Sequence, residues 1–317
     1  MKKNFKKSKF VILPALATLV LTSVATVTGT AAWFTASREV SASGMSFTAK
    51  SESNLLIAGD ELTNTKKQEE GKFSSSLTKP FANASLKPAS TINGKAFFKT
   101  STAKADGAIQ DGAIYEEANN QTNDDSRYYL DYVFQLKAIN TESASQSIYV
   151  NEISVNYSAA TVDTVDALTK AAKAFRIAFF IEARSTTAGQ DFNADTTKAT
   201  NAKFIYQPKG AANQTPGQAV KKTSSGQEHV VGALGDVSYF SDETSDKAYA
   251  TVATGTFYFK GVARVWMEGE DINCTSDLFQ HAADKWSIDL GFGLGDVNDT
   301  KKPVKTNIDI KVDTANA

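Results

Sequence analysis

From Tyr128 to Ile139 the chain reads YYLDYVFQLKAI, with an apolar residue at every second position. An extended strand sends successive side chains to opposite faces, so Tyr128, Leu130, Tyr132, Phe134, Leu136 and Ala138 share one face while Asp131, Gln135 and Lys137 take the other. A helix does not gather residues spaced by two onto one side, so the period commits this segment to a sheet. WSIDLGFGL repeats it through Trp286, Ile288, Leu290, Phe292 and Leu294, and VKTNIDIKV through Ile308, Ile310 and Val312. In SIYVNEISVNY the apolar phase moves from Ile148 and Val150 to Ile153, Val155 and Tyr157. One inserted residue does this, and it predicts a β-bulge near Asn151 and Glu152.

Further strands are expected at GMSFTA (44–49), AFFKT (96–100), RIAFFIEA (176–183), KFIYQP (203–208), EHVVGALG (228–235) and TFYFKGVARVWME (256–268). RIAFFIEA is almost unbroken apolar sequence, as in a central strand covered on both faces. Helical spacing occurs at 163–175, through Val165, Leu168, Ala172 and Phe175, and over a shorter stretch at 275–283 capped by Thr275 or Ser276. Residues 59–90, 101–127 and 185–228 are polar and read as surface excursions. The expected fold is therefore mainly β: an antiparallel β-sandwich of jelly-roll type with long polar loop insertions and one or two short helices. Tyr132, Phe134, Phe179, Trp266, Ile288, Leu290 and Phe292 are expected in one core, for which a chain 41% hydrophobic has ample material.

Lys2, Lys3, Lys6, Lys7 and Lys9 precede FVILPALATLVLTSVATVTGTAA, about 23 residues without a charge. A basic start, an apolar stretch and the small residues Gly29, Thr30, Ala31 and Ala32 fit a secretory signal cut after Ala31 or Ala32. The run is also long enough to span a bilayer uncleaved, although Pro14 and the Thr and Ser residues between 18 and 28 weaken that reading. Residues 1–32 are thus expected to be a signal peptide or membrane anchor. Without them 29 basic residues face 35 acidic ones, a net charge of -6 against -1 for the whole chain. Neither balance suits nucleic acid, and no such partner is expected. A lipid anchor would need a cysteine after the apolar run and a sortase anchor an LPxTG motif. The sequence offers neither, so surface retention is expected to rest on the N-terminal span or on association with other molecules.

The lone Cys274 excludes an intrachain disulfide, a CxxC pair and a multi-cysteine zinc site. His229 and His281 belong to no metal-ligand spacing, and GxSxG, P-loop and dinucleotide-binding patterns are missing, so no enzymatic activity is expected. VWMEGEDINCTSD (265–277) gathers Glu268, Glu270, Asp271 and Asp277, oxygen ligands of the kind calcium takes, and calcium is the one cofactor for which the sequence leaves room. The same acids also suit a strand-to-helix turn bent at Gly269, where a helix dipole would favour them. DFNADTTKATNA (191–202) starts like a calcium loop but has Thr196 where the turn needs Gly and Ala202 where a bidentate Glu is needed. It and GLGDVNDTKKP (293–303) read as polar turns.

GTAAWFTASREVSASGMSFTAKSESN (29–54) has a junction of small and aromatic residues, Ala31, Ala32, Trp33 and Phe34, then a polar segment and a strand at Met45, Ser46, Phe47, Thr48 and Ala49. It resembles the start of TasA/camelysin-type secreted proteins of Gram-positive bacteria, and RVWMEGEDINCT (264–275) is similar to a segment recurring in surface proteins of that organisation. The resemblance covers about 20 residues at the N-terminus and about 11 near 264–274. It implies a jelly-roll subunit of extracellular or biofilm fibres whose N-terminal segment adds as a strand to the next subunit. Residues 33–49, with Trp33, Phe34, Val40, Met45 and Phe47, are then the expected assembly strand and 50–317 the sandwich domain. The expected partners are copies of the chain or other surface proteins, and the membrane through the N-terminal segment if uncleaved. The alternative is a membrane-anchored extracellular β-sandwich acting as a binding or adhesion module through its polar loops.

Overall fold

Residues 255–267, GTFYFKGVARVWM, form one continuous strand, with the alternating segment Leu130–Asn140 along one edge and the apolar segment Phe175–Arg184 along the other. The computed structural model describes residues 45–51, 54–62, 66–81, 85–91, 93–95, 97–100, 114–117, 126–159, 169, 172–184, 202–208, 220–223, 228–230, 238–240, 247–269, 271, 273–274, 282–295 and 307–313. In chain order the strands are β1 (Met45–Ser51), β2 (Leu55–Gly59), β3 (Ser76–Phe81), β4 (Ser85–Leu86), β5 (Phe98–Thr100) and β6 (Ile114–Glu117). Then come β7 (Ser126–Arg127), β8 (Leu130–Asn140), β9 (Gln146–Ala159), β10 (Phe175–Arg184), β11 (Phe204–Tyr206) and β12 (Val220–Thr223). The last six are β13 (Glu228–Val230), β14 (Ser238–Phe240), β15 (Lys247–Val252), β16 (Gly255–Met267), β17 (Ala282–Gly295) and β18 (Asn307–Asp313).

Two large, mainly antiparallel sheets result. One runs β15-β9-β17-β1-β3 with β18 also on β9, and the other runs β14-β11-β10-β16-β8-β2. A four-stranded sheet, β13-β12-β6-β5, and the pair β4-β7 stand apart from them. The parallel pairs in the large sheets are β1 with β17, β18 with β9 and β11 with β14. The expected bulge is present: Gly291 pairs with Glu152 and Phe292 with Val150, so Asn151 is passed over. On the opposite edge of β9 the partner changes at the same place, from β15 along Gln146–Val150 to β18 along Glu152–Ser158.

The apolar faces of the two sheets meet in one core. Ile153, Val155, Ile288, Leu290 and Phe292 come from the β9 sheet, and Leu130, Tyr132, Phe134, Leu136, Ile177 and Phe179 from the β16 sheet. Phe134 and Phe292 rings lie 5.1 Å apart, and Tyr249 stands between the sheets with its hydroxyl donating to the Phe180 carbonyl at 2.6 Å. A Cβ at Gly261 would come within 2.6 Å of the Phe134 ring and 2.7 Å of the Tyr249 oxygen, so only glycine lets β16 pass beneath that ring. The architecture is all-β and sandwich-like.

Four expectations need correction. Trp266 does not join the inter-sheet core, because its position on β16 faces the other way, into a second cluster with Phe97, Val133, Phe180, Ile205 and Val262. The face of β8 read as polar and outward is covered, and Gln135 on it is wholly buried. The cover comes from parts of 59–90, read from composition as a surface excursion, and just beyond: residues 66–79 are exposed or half-buried as expected, but Asp60, Ala89, Ser90 and Thr91 are buried, and Ala89 exchanges backbone hydrogen bonds with Met267 and Gly269. No helix of seven or more residues is present among the described residues. Thr169 and Ala172 are helical, but Phe175 already starts β10, because pairing with Met267 buries it; Ala282 and Ala283, expected to end a helix, begin β17. The rest of both helix candidates lies outside the described residues.

Candidate functional site

The covered face of the β16 sheet holds most of the buried charge. Along β16 the residues pointing to it are Tyr258, Lys260, Val262, Arg264 and Trp266, so alternation places three polar side chains among apolar ones. Each meets a partner on a neighbouring strand or covering segment. Near one end Tyr258 donates to Glu70, which also pairs with Lys137 on β8 and with Lys67 at 3.3 Å. The hydrogen bonds from Lys137 and Tyr258 hold the Glu70 carboxyl down at about 2, while burial, aided by the Glu70 bond, pushes the Tyr258 hydroxyl up to about 12.

One step along, Lys260 and Asp60 form an ion pair of 3.5 Å with both side chains fully buried. Gln135, which faces Lys260 across β8 and β16, donates to Asp60 at 2.8 Å and to the Lys66 carbonyl at 2.9 Å. Further on, Arg264 grips Asp131 with two bonds of 2.7 and 2.8 Å, donates to the Gly94 carbonyl and lies over the Tyr129 ring at 4.0 Å. At the far end Arg176 on β10, the register partner of Trp266, meets Asp271 at 2.6 Å with both side chains fully buried. Trp266 Nε1 donates to Glu268 at 3.1 Å.

Two of the four candidate calcium ligands, Glu268 and Asp271, therefore sit in a structured and buried turn, with Asp271 facing a guanidinium and Glu268 an indole N–H. Glu270 and Asp277 lie outside the described residues, and among the described residues no group of three or more His, Cys, Asp or Glu side chains comes together to hold a metal ion. Cys274 is buried beside this turn, and burial together with the Asp271 and Glu268 charges pushes its thiol far up, the condition of an inert packed cysteine. His229 lies on β13 opposite Lys221, and His281 is outside the described residues. Arg176, Asp60 and Lys260 do not stand out in the sequence as site residues. For Arg176 and Lys260 the signal is a charged side chain inside an otherwise apolar strand, whereas Asp60 follows β2 and carries no such mark.

The other candidate site is the N-terminal strand. Trp33, Phe34 and Val40 fall outside the described residues, whereas Met45 and Phe47 lie in β1. That strand runs between β17 and β3, with Ser46 opposite Ser287 in parallel and Met45 opposite Phe81 in antiparallel register. Residues 45–51 thus pair within the chain, with neither partner a hairpin neighbour in sequence. Both partners are remote in sequence and no tight turn marks them, so no hairpin pattern could announce the pairing. Among the described residues no helix is long and apolar enough to cross a membrane. Comparisons with known protein families, with curated proteins and with solved structures return no match to this chain.

Proposed function

We propose that the chain is the exported structural subunit of a cell-surface or biofilm-matrix fibre, polymerising when the N-terminal strand of one copy is taken up by the next. The observation that carries this reading is the setting of β1, which pairs along both edges and is joined by a hairpin to neither partner. Parallel neighbours cannot be linked by a tight turn, so β1 is held in its slot by backbone pairing and not by connectivity. The same strand of a second copy brings the same donors and acceptors in the same register, and exchange leaves no hydrogen bond of the slot unmade. Successive long strands alternate between the large sheets, from β1 to β3, from β8 to β10 and from β15 to β17, which supports a jelly-roll connectivity. The resemblance of residues 29–54 to fibre-forming secreted proteins supports export and assembly.

Truncation tests it. A form beginning at Trp33 should build oligomers or fibres detectable by light scattering and electron microscopy, while a form beginning at Lys50 should stay monomeric. Adding a peptide of residues 33–51 to the shorter form should raise its melting temperature by refilling the slot. If the Trp33 form stays monomeric at high concentration, strand donation fails and the anchored adhesion module becomes the reading.

A further inference from the structure

Lys260 is a lysine buried completely in the middle of β16. We propose that Lys260 and Asp60 join in an intramolecular amide bond, a covalent cross-link between the middle of β16 and the turn that follows β2. This does not depend on the fibre reading.

The pair is already positioned as reactants. Nζ lies 3.5 Å from Oδ2 and is aimed by donation to the carbonyls of Glu61 at 2.8 Å and Leu62 at 3.2 Å, so it is held against the backbone that carries the acid. The carboxyl group is equally fixed, with Oδ1 accepting from the Glu61 N–H at 2.9 Å and Oδ2 from Gln135 at 2.8 Å. Gln135 in turn is tied down, since its Oε1 accepts from the Gln68 N–H at 2.9 Å. In water an amine and a carboxylic acid do not condense to any useful extent. Groups held in contact and in orientation react as if at effective molarities on the order of 10⁵–10⁸ M, which lowers the barrier to forming the bond. The site is also closed to bulk water, which would otherwise return the amide to its parts.

The chemistry needs no added reagent, because the ion pair and the neutral pair carry the same protons. One proton passes from Nζ to Oδ2, and the freed lone pair of Nζ forms the new bond to Cγ. The displaced electron pair gathers on Oδ1, where the Glu61 N–H stabilises it. Collapse breaks the Cγ–Oδ2 bond, and Oδ2 leaves as water with a second proton from Nζ. The product retains one N–H for the Glu61 or Leu62 carbonyl and one carbonyl oxygen for the Glu61 N–H. Two buried charges disappear, which removes a desolvation cost that a buried ion pair does not fully recover. Like any cross-link closing a long loop, the bond restricts the unfolded chain, and here it ties an edge strand to the centre of the sheet.

The mass of the folded full-length chain, after any N-terminal cleavage is allowed for, reads the bond directly. The expected value is one water below the sequence mass, with proteolysis yielding a branched peptide that joins the segments around Asp60 and Lys260. Asp60→Asn should reach the same amide by losing ammonia, and Lys260→Arg should lose neither. A wild-type mass equal to the sequence mass, with the two segments recovered as separate peptides after prolonged incubation, overturns the proposal whatever the variants do.

Discussion

The two faces of the β16 sheet are buried by opposite means. Toward the β9 sheet, Phe134, Phe179 and Phe259 pack with Tyr249 and Phe292, and the attraction is non-directional. On the opposite face Lys260 meets Asp60 of the covering segment, Arg264 meets Asp131 of the neighbouring strand β8 and Arg176 meets Asp271 of the turn after β16, and the attraction exists only where one particular side chain meets another. The first face stabilises by area and tolerates exchange of one apolar residue for another of similar volume. The second contributes little net stability, because desolvation offsets most of the Coulomb gain, but it decides where irregular segments must lie. A covering loop without regular hydrogen bonding needs such fixed points.

Single truncations should strike both faces equally hard, and paired replacement should separate them. Phe134→Ala and Arg176→Ala are each expected to cost about 3–5 kcal/mol, the first by leaving a cavity and the second by leaving Asp271 buried without its cation. Combining Arg176→Met with Asp271→Leu should recover most of the Arg176 loss, whereas no distant second change should rescue Phe134→Ala. Urea denaturation reads all four proteins, and a double variant as unstable as Arg176→Ala would erase the distinction between the faces.

A smaller effect sharpens the account of the inner face. Gly261→Ala should cost about 1–3 kcal/mol, since the added methyl must displace the Phe134 ring and the Tyr249 hydroxyl. Gly71→Ala, which meets nothing within 4 Å, should leave the melting temperature unchanged.

The smallest effect belongs to the rim of the covered face. Glu70 has a carboxyl lowered from 4.5 to about 2 by hydrogen bonds from Lys137 and Tyr258, and its side chain is about half exposed. Because the folded group titrates below the unfolded one, its contribution is full above about 4.5 and is lost as pH falls toward about 2. Exposure to solvent holds the effect to about 0–1 kcal/mol at neutral pH. Glu70→Gln should therefore change stability little at pH 7 and flatten its decline between those two values. An unchanged acid limb in Glu70→Gln would assign that decline to other carboxyls.

Alternation in sequence was sufficient for the long strands β8, β9 and β17, and the phase shift at Asn151 foretold the bulge. It was sufficient because a period of two is a local property, readable without knowing what lies across the sheet. Which side of each strand meets which partner was not local. Trp266 looks like a core residue and is one, yet in a second cluster, because the polar residues sharing its face are neutralised by Asp60, Asp131 and Asp271 from distant parts of the chain. Composition made the whole of 59–90 look solvated, which holds for 66–79 but not for Asp60, since buried charge is indistinguishable from exposed charge until its counter-ion is found. The slot of β1 followed the same logic: its strand character was written in Met45 to Ala49, but a parallel partner more than two hundred residues away leaves no turn to mark it. Local periodicity determined what the segments are, and only the tertiary structure, through long-range pairing of charges and backbone edges, decided what each of them touches.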